Sequence, residues 1–278
     1  LEAWSGLPSP FDHDVHRIRH QEGAIAVAES VRKWLDGSEK MSTPKDHVQD
    51  PYSFRCIPQV HGASRDVISA ARKLFENEVN AVTDNPLVFP EEDKVVSGGN
   101  FHGQPLALTL DHLTLAIHEL ASISERRTFK LMSGTRSLPA FLAKDPGLHS
   151  GYMIAQYTAA SLVSMNKQLT TPSSADNADS SNGQEDHVSM GANAALKLWK
   201  VIDNAEQVLA IEALCAAQAS DLGGMAGLGE MSPKLVKLQE SLRESVPFLS
   251  QDAYMAPLLG DALSWIKNNL PEDIDKCH

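Results

Sequence analysis

Apolar residues recur at three- to four-residue spacing through most of the chain, and strict apolar–polar alternation is almost absent, so the pattern predicts helices. The first runs from about Gln21 to Leu35 on Ala24, Val27, Val31 and Leu35, and Gly37 is a suitable stop. A second runs from Val60 to Val82 on Val67, Ile68, Ala71, Leu74 and Val79 and ends at Thr83-Asp84-Asn85-Pro86, because a residue before proline avoids the helical region. A third spans Gln104 to Leu131, with Leu106, Leu108, Leu110, Leu113, Ile117, Leu120 and Ile123 as core candidates. A fourth spans Tyr152 to Leu169 before Pro172, and the longest runs from Asp186 to Leu222. Two shorter helices, over about 232–245 and 252–269, close the chain. Between them, residues 1–17, 37–48, 133–149 and the polar run Ser173 to Gly183 predict loops. Long helices with irregular connections imply an all-α bundle of antiparallel neighbours, with residues 1–225 as its main body and 226–278 as terminal helices.

Composition adds what the pattern cannot. Of 278 residues, 42% are hydrophobic, 6% aromatic and 22% charged, and the formal net charge is −12. The aromatic shortage disfavours sheets. The negative balance excludes a nucleic-acid or anionic-membrane surface, which needs clustered Lys and Arg. No signal peptide or membrane span is evident, and the chain begins at Leu1 in mid-phrase. Cys56, Cys215 and Cys277 are widely separated and odd in number, which implies reduced thiols in a cytoplasmic setting.

Three polar clusters carry candidate chemistry. In Gln49-Asp50-Pro51-Tyr52-Ser53-Phe54-Arg55-Cys56, Asp50 is a candidate helix cap and Pro51 suits a first helical position. Tyr52 and Arg55 then share a face, placing a proton-handling phenol beside a fork that matches a carboxylate. A capped surface helix would have the same sequence. In Ser97-Gly98-Gly99-Asn100-Phe101-His102-Gly103, adjacent glycines permit close backbone approach, Asn100 and His102 offer hydrogen bonds and Phe101 an apolar wall; a plain turn is the alternative. In Gln184-Glu185-Asp186-His187, the carboxylates either cap the following helix or place Glu185 in a site as base or acceptor. Consecutive residues cannot readily share one ion and no HExxH or CxxC spacing occurs, so no metal is expected. His112 and His118, six apart, do not share a helix face, and no GxSxG elbow marks a serine nucleophile.

Taken in order, these phrases, with Pro58-Gln59-Val60-His61-Gly62-Ala63, Thr83-Asp84-Asn85-Pro86 and Ser122-Ile123-Ser124-Glu125-Arg126-Arg127, resemble the aromatic amino acid lyase family over essentially the whole chain. Within it, Gln184-Glu185 resembles the members acting on L-histidine rather than those acting on phenylalanine, which tend to carry an amide at the Glu position. The resemblance implies a helical homotetramer whose active sites draw on several subunits. It also implies elimination of ammonia by a methylidene-imidazolone electrophile formed from an internal Ala-Ser-Gly, giving trans-urocanate from histidine. Arg55 then resembles the carboxylate clamp, Tyr52 the active-site phenol, Gln49 and Gln184 site-lining amides, Phe101 the aromatic beside the prosthetic group, and Glu185 the carboxylate facing the imidazole. The chain contains no Ala-Ser-Gly triplet and resembles the carboxy-terminal half, so it is expected to be inactive without an amino-terminal half. Two other readings stay open: a tyrosine or phenylalanine lyase or aminomutase of the same family, and a non-catalytic helical assembly module.

Overall fold

The computed structural model describes residues 1–224 and 229–269. Its helices are α1 (His13–Arg17), α2 (Glu22–Leu35), α3 (Glu39–Ser42), α4 (Tyr52–Arg55), α5 (Ile57–Val79), α6 (Gln104–Leu131), α7 (Met153–Leu169), α8 (Gly191–Gly224), α9 (Pro233–Ser245) and α10 (Met255–Asn268). The all-α architecture matches the pattern, and α6 has the expected limits. Pro58 does not delay α5: it lies in the first turn, where a missing N–H costs nothing. One departure from helix lies between α5 and α6, where β1 (Leu87–Phe89) pairs antiparallel with β2 (Lys94–Val96). Each strand is three residues long, too short to register as alternation.

Side-chain pairings set the directions. His61 meets Arg127 and Ser64 meets Ala116, so α5 runs antiparallel to α6. Tyr152 meets Gln218 and Asn166 meets Asn204, so α7 runs antiparallel to α8. Asp111 pairs with Lys197 and Arg127 with Glu212, so α6 and α8 are parallel. Antiparallel order thus holds for α5–α6 and α7–α8, while the α6–α8 pair departs from it. Where α2 crosses α5, a Cβ on Gly23 would lie 2.2 Å from the Gly62 carbonyl oxygen, so this crossing requires glycine.

The core includes Phe54, Leu131, Leu142, Tyr152, Val208, Ile211 and Leu214, and α9 and α10 add Leu242, Val246 and Ala262 to it. The expected division at 225/226 lies outside the described residues, as do Cys277 and the acidic run Glu272-Asp273. Cys56 and Cys215 carry free thiols. By length and composition α6 could cross a membrane, contrary to the sequence expectation. However, it buries Asp111, Glu125 and Arg127, each paired to a protein group, and packs among α5, α7 and α8 as a bundle helix. Several expected core residues instead face outward: Leu108, Val79 and Ile68.

At the centre, Glu212 on α8 receives Arg127 Nε and Nη2 in a two-pronged contact, the latter at 2.8 Å, and Ser124 Oγ at 2.6 Å. Burial alone would raise the Glu212 pKa, but Arg127 and the Ser124 hydroxyl hold it below the usual range. Arg127 Nη1 also donates to His61 Nε2 at 3.2 Å, which ties α5 to the α6–α8 pair.

Candidate active site

Asp50, Pro51 and Tyr52 do not form the expected cap. Pro51 itself is the N-cap of α4, and Asp50 turns inward, fully buried. There its carboxylate accepts the Leu7 amide and Arg136 Nη1, each at 2.6 Å. Arg136 also stacks 4.8 Å from the Trp4 ring centroid, and Trp4 stacks on Phe54 at 5.2 Å. Burying Asp50 and Phe54 turns the neighbouring residues outward, and that is how the segment presents its chemistry.

Arg55 lies 4.6 Å from the centroid of the exposed Tyr52 ring. Its Nε is buried without a hydrogen-bond partner, and among the described residues it makes no salt bridge. Gln49, Arg55, Cys56 and Gln59 line a cavity of about 340 Å³, where Gln59 Oε1 is also buried and unpartnered. Leu7, Pro10, Val15 and Val48 complete the wall. A guanidinium with no carboxylate partner among the described residues, beside a phenol and two amides, is suited to receive an anion.

The other two clusters meet at the amino-terminal ends of α6 and α8. Gly98 N–H and Ser97 Oγ donate to Asn85 Oδ1 at 2.8 and 3.1 Å, which fixes the strap before Phe101. Phe101 is 57% exposed, so its apolar wall is available to something outside this chain. A Cβ on Gly98 or Gly99 would meet nothing within 4 Å, so the close approach those glycines permit is not made within one copy. Gln184 to His187 do not cap α8, which begins later, at Gly191. They follow a turn in which Asn182 adopts φ 58°, ψ 40°, a left-handed conformation that asparagine tolerates. Ser180 and Glu185 exchange backbone hydrogen bonds there, and Ser180 Oγ donates to Glu185 Oε2 at 2.7 Å. Hydrogen bonds from Ser180 and Ser181 hold the Glu185 carboxyl below its ordinary pKa. Glu185 and Gln184 are exposed.

Six predicted site residues therefore form two groups. Gln49, Tyr52 and Arg55 lie beside the carboxy-terminal end of α6, near Arg136; Phe101, Gln184 and Glu185 lie at its amino-terminal end. Arg127, beside the second turn of α5, is about 35 Å along α6 from Gln104 at the helical rise. One copy of the chain does not bring the two groups together. Of the partners that support them, Arg136 has no sequence-local signal, since it pairs with Asp50, 86 residues away.

The aromatic amino acid lyase family model matches residues 1–244. The chain belongs to that family. Among curated members it is 48% identical to histidine ammonia-lyase of Treponema denticola over 277 residues, 99% of this chain and 54% of that protein. The solved histidine ammonia-lyase of Trypanosoma cruzi superposes with a TM-score of 0.86 at 41% identity, over 98% of this chain and 53% of that one. Tyrosine aminomutase from Streptomyces globisporus is similarly close in fold, with TM-score 0.89 and 36% identity over 96% and 55% of the two chains. The chain thus spans about half the length of the aromatic amino acid lyases it matches. Among the described residues no cluster of His, Cys, Asp or Glu could hold a metal ion.

Proposed function

We propose that this chain is the carboxy-terminal portion of a cytoplasmic histidine ammonia-lyase that converts L-histidine to trans-urocanate and ammonia. The observation that carries the proposal is Arg55, a guanidinium with a buried, unpartnered Nε that shares a cavity with Gln49 and carries Tyr52 against its face. Arg55 takes the substrate carboxylate in a two-pronged contact, and Gln49 lines the same pocket. Tyr52 holds or relays a proton beside it. Glu185, kept ionised by Ser180 and Ser181, accepts from an imidazole N–H or takes a proton, with Gln184 next to it. Phe101 supplies the apolar face against which a flat prosthetic group can pack.

A methylidene-imidazolone group, whose Ala-Ser-Gly precursor these 278 residues lack, would supply the electrophile, and Phe101 would pack against it. The separation of the Arg55 and Glu185 groups supports a site completed by other copies of the chain, as in a homotetramer. Exposed Leu108 and Leu115 on α6 and Leu196 and Trp199 on α8 offer apolar surface for such contacts.

The likeness to tyrosine aminomutase keeps a second reading in view, action on tyrosine or phenylalanine. Glu185 favours histidine, because a carboxylate pairs with an imidazole N–H and gains nothing from a phenyl ring. One assay separates the readings. Purified chain, alone and with a separately expressed amino-terminal half, is given histidine or tyrosine while urocanate or coumarate absorbance is followed. Urocanate forms only in the combined sample. Turnover by the chain alone would overturn the half-site reading, and preference for tyrosine would overturn the substrate. No turnover by a folded, combined sample would favour a non-catalytic assembly module.

A further inference from the structure

His102 takes no part in the chemistry above, yet its ring joins the two loops that carry Phe101 and Glu185. Its Nε2 lies 3.0 Å from the His187 carbonyl oxygen, and its Nδ1 lies 3.3 Å from the Gln104 amide nitrogen. A carbonyl can only accept and an amide N–H can only donate. Nε2 must therefore carry the proton and Nδ1 must be bare, which selects one neutral tautomer. The ring also stacks on His187, with centroids 5.8 Å apart and planes 14° from parallel. His187 is two residues beyond Glu185, and His102 directly follows Phe101.

The far side of the Glu185 loop is tied separately, by Asn177, which accepts the Val188 amide at 2.7 Å and donates to the Asp186 carbonyl at 3.1 Å. Without His102, the loop would keep its hydrogen bonds to the 173–183 segment but lose the hydrogen bond and ring stacking that join it to the strap carrying Phe101. We propose that His102 is a positioning residue, which fixes Glu185 relative to Phe101 through a donor to the His187 carbonyl. This inference rests on the assignment of Glu185 to the substrate site, but the tether itself can be tested without that assignment.

Three variants divide the two ring nitrogens. His102→Gln can reach the His187 carbonyl with an amide N–H, His102→Asn keeps only an acceptor near Gln104, and His102→Ala keeps neither. Amide hydrogen exchange on the 278-residue chain should show residues 184–190 exchanging about tenfold faster in the Ala and Asn variants, with α8 and α6 beyond its first turn unchanged and Gln restoring most of the protection at 184–190. Unchanged exchange at 184–190 in Ala and Asn would overturn the tether.

Kinetics then test its purpose in the enzyme completed with an amino-terminal half. His102→Ala should lower kcat/KM for histidine about tenfold, and Gln should recover most of it. In a Glu185→Gln background the same Ala substitution should cost nothing further, because it acts through Glu185. Additive losses would overturn that route while leaving the site reading intact. If Glu185→Gln alone leaves histidine turnover unchanged, the assignment of Glu185 falls instead, and the exchange result still decides the tether.

Discussion

The two ends of α6 hold their candidate chemistry by different physical means. At the carboxy-terminal end, Arg55 and Tyr52 are carried by a segment whose neighbours Asp50 and Phe54 are buried and paired. Nearby, Arg127, Glu212 and Ser124, with His61, tie α5, α6 and α8 together in the core. At the amino-terminal end, Glu185 and Phe101 are carried by loops held at the surface through Asn85, Asn177, Ser180 and His102. A carboxylate clamp benefits from a rigid base, since small displacements of a two-pronged contact are costly. In the proposed function Glu185 meets the substrate's far end, and its exposure leaves it open to a partner surface.

The sharpest way to break this contrast is to remove the buried ion from the rigid end. Arg127→Ala leaves Glu212 without its charge partner, and losing one member of a buried pair costs about 3–5 kcal/mol. Urea denaturation of the chain should show that loss, while the paired replacement Arg127→Met with Glu212→Leu should recover most of it. A loss below about 1 kcal/mol for the single variant would mean that the pair is not a foundation of this end. Arg55→Ala tests the same end for function without disturbing its base. In the completed enzyme it should lower kcat/KM for histidine by about 2–5 kcal/mol, tens- to thousands-fold, because the substrate carboxylate is left unpaired in the site. The chain's own denaturation midpoint should barely move, since Arg55 makes no salt bridge among the described residues. An unchanged kcat/KM would remove Arg55 from the clamp.

The contrast also bears on what could be read without a structure. Gln104–Leu131 is evident from its leucine spacing and Pro105, and α7 and α9 lie within a residue of their expected limits. The rigid base was not legible. Arg127 and Glu212 are 85 positions apart, and periodicity assigns each only to a helix, not to a common interior. A usable hint was that Glu125 and Arg127 flank the apolar stripe of α6, where charges must find partners if buried. Asp50 misled because Asp-Pro is a strong capping signal, but tertiary contacts with Arg136 and Leu7 outweighed the local one. Gln184-Glu185-Asp186-His187 resembled the start of α8 because acidic residues favour helix starts. The left-handed turn at Asn182 and the Ser180–Glu185 pairing take those residues into a loop instead. The six candidate residues stand out as motifs, but their division between the ends of one helix does not, since order along the chain says little about distance in a bundle.

His61 offers a milder probe of the rigid end. Burial, with Arg127 adding to it, lowers its pKa from 6.5 to about 4. The neutral ring accepts the Arg127 N–H, and protonation would remove that acceptor. A folded-state pKa below the unfolded value means that the unfolded chain binds more protons at mildly acidic pH. The stabilisation is therefore intact above about pH 6.5 and lost as pH falls towards 4, by at most about 3 kcal/mol. Denaturation midpoints measured from pH 7.5 to 4 should fall more steeply for the native chain than for His61→Gln, which has no titrating ring. Parallel curves would show that His61 does not couple to folding.

The smallest effect expected is at the amino-terminal end of α6, and it isolates the electrostatics of Glu185. The Ser180 hydroxyl is the largest influence holding that carboxyl below its ordinary pKa, followed by Ser181. Ser180→Ala removes one charge-assisted hydrogen bond from an exposed group, so the pKa should rise towards the ordinary carboxylate value. Stability should hardly change, because the site is solvated and water replaces the hydroxyl. A carbon-detected NMR titration of the Glu185 carboxyl gives the direction, and the acid limb of histidine turnover in the completed enzyme should move the same way, to higher pH. If the carboxyl shifts but the acid limb does not, a group other than Glu185 controls that limb. If neither moves, the Ser180 contact does not set the charge of Glu185, and the polar turn serves only to shape the loop.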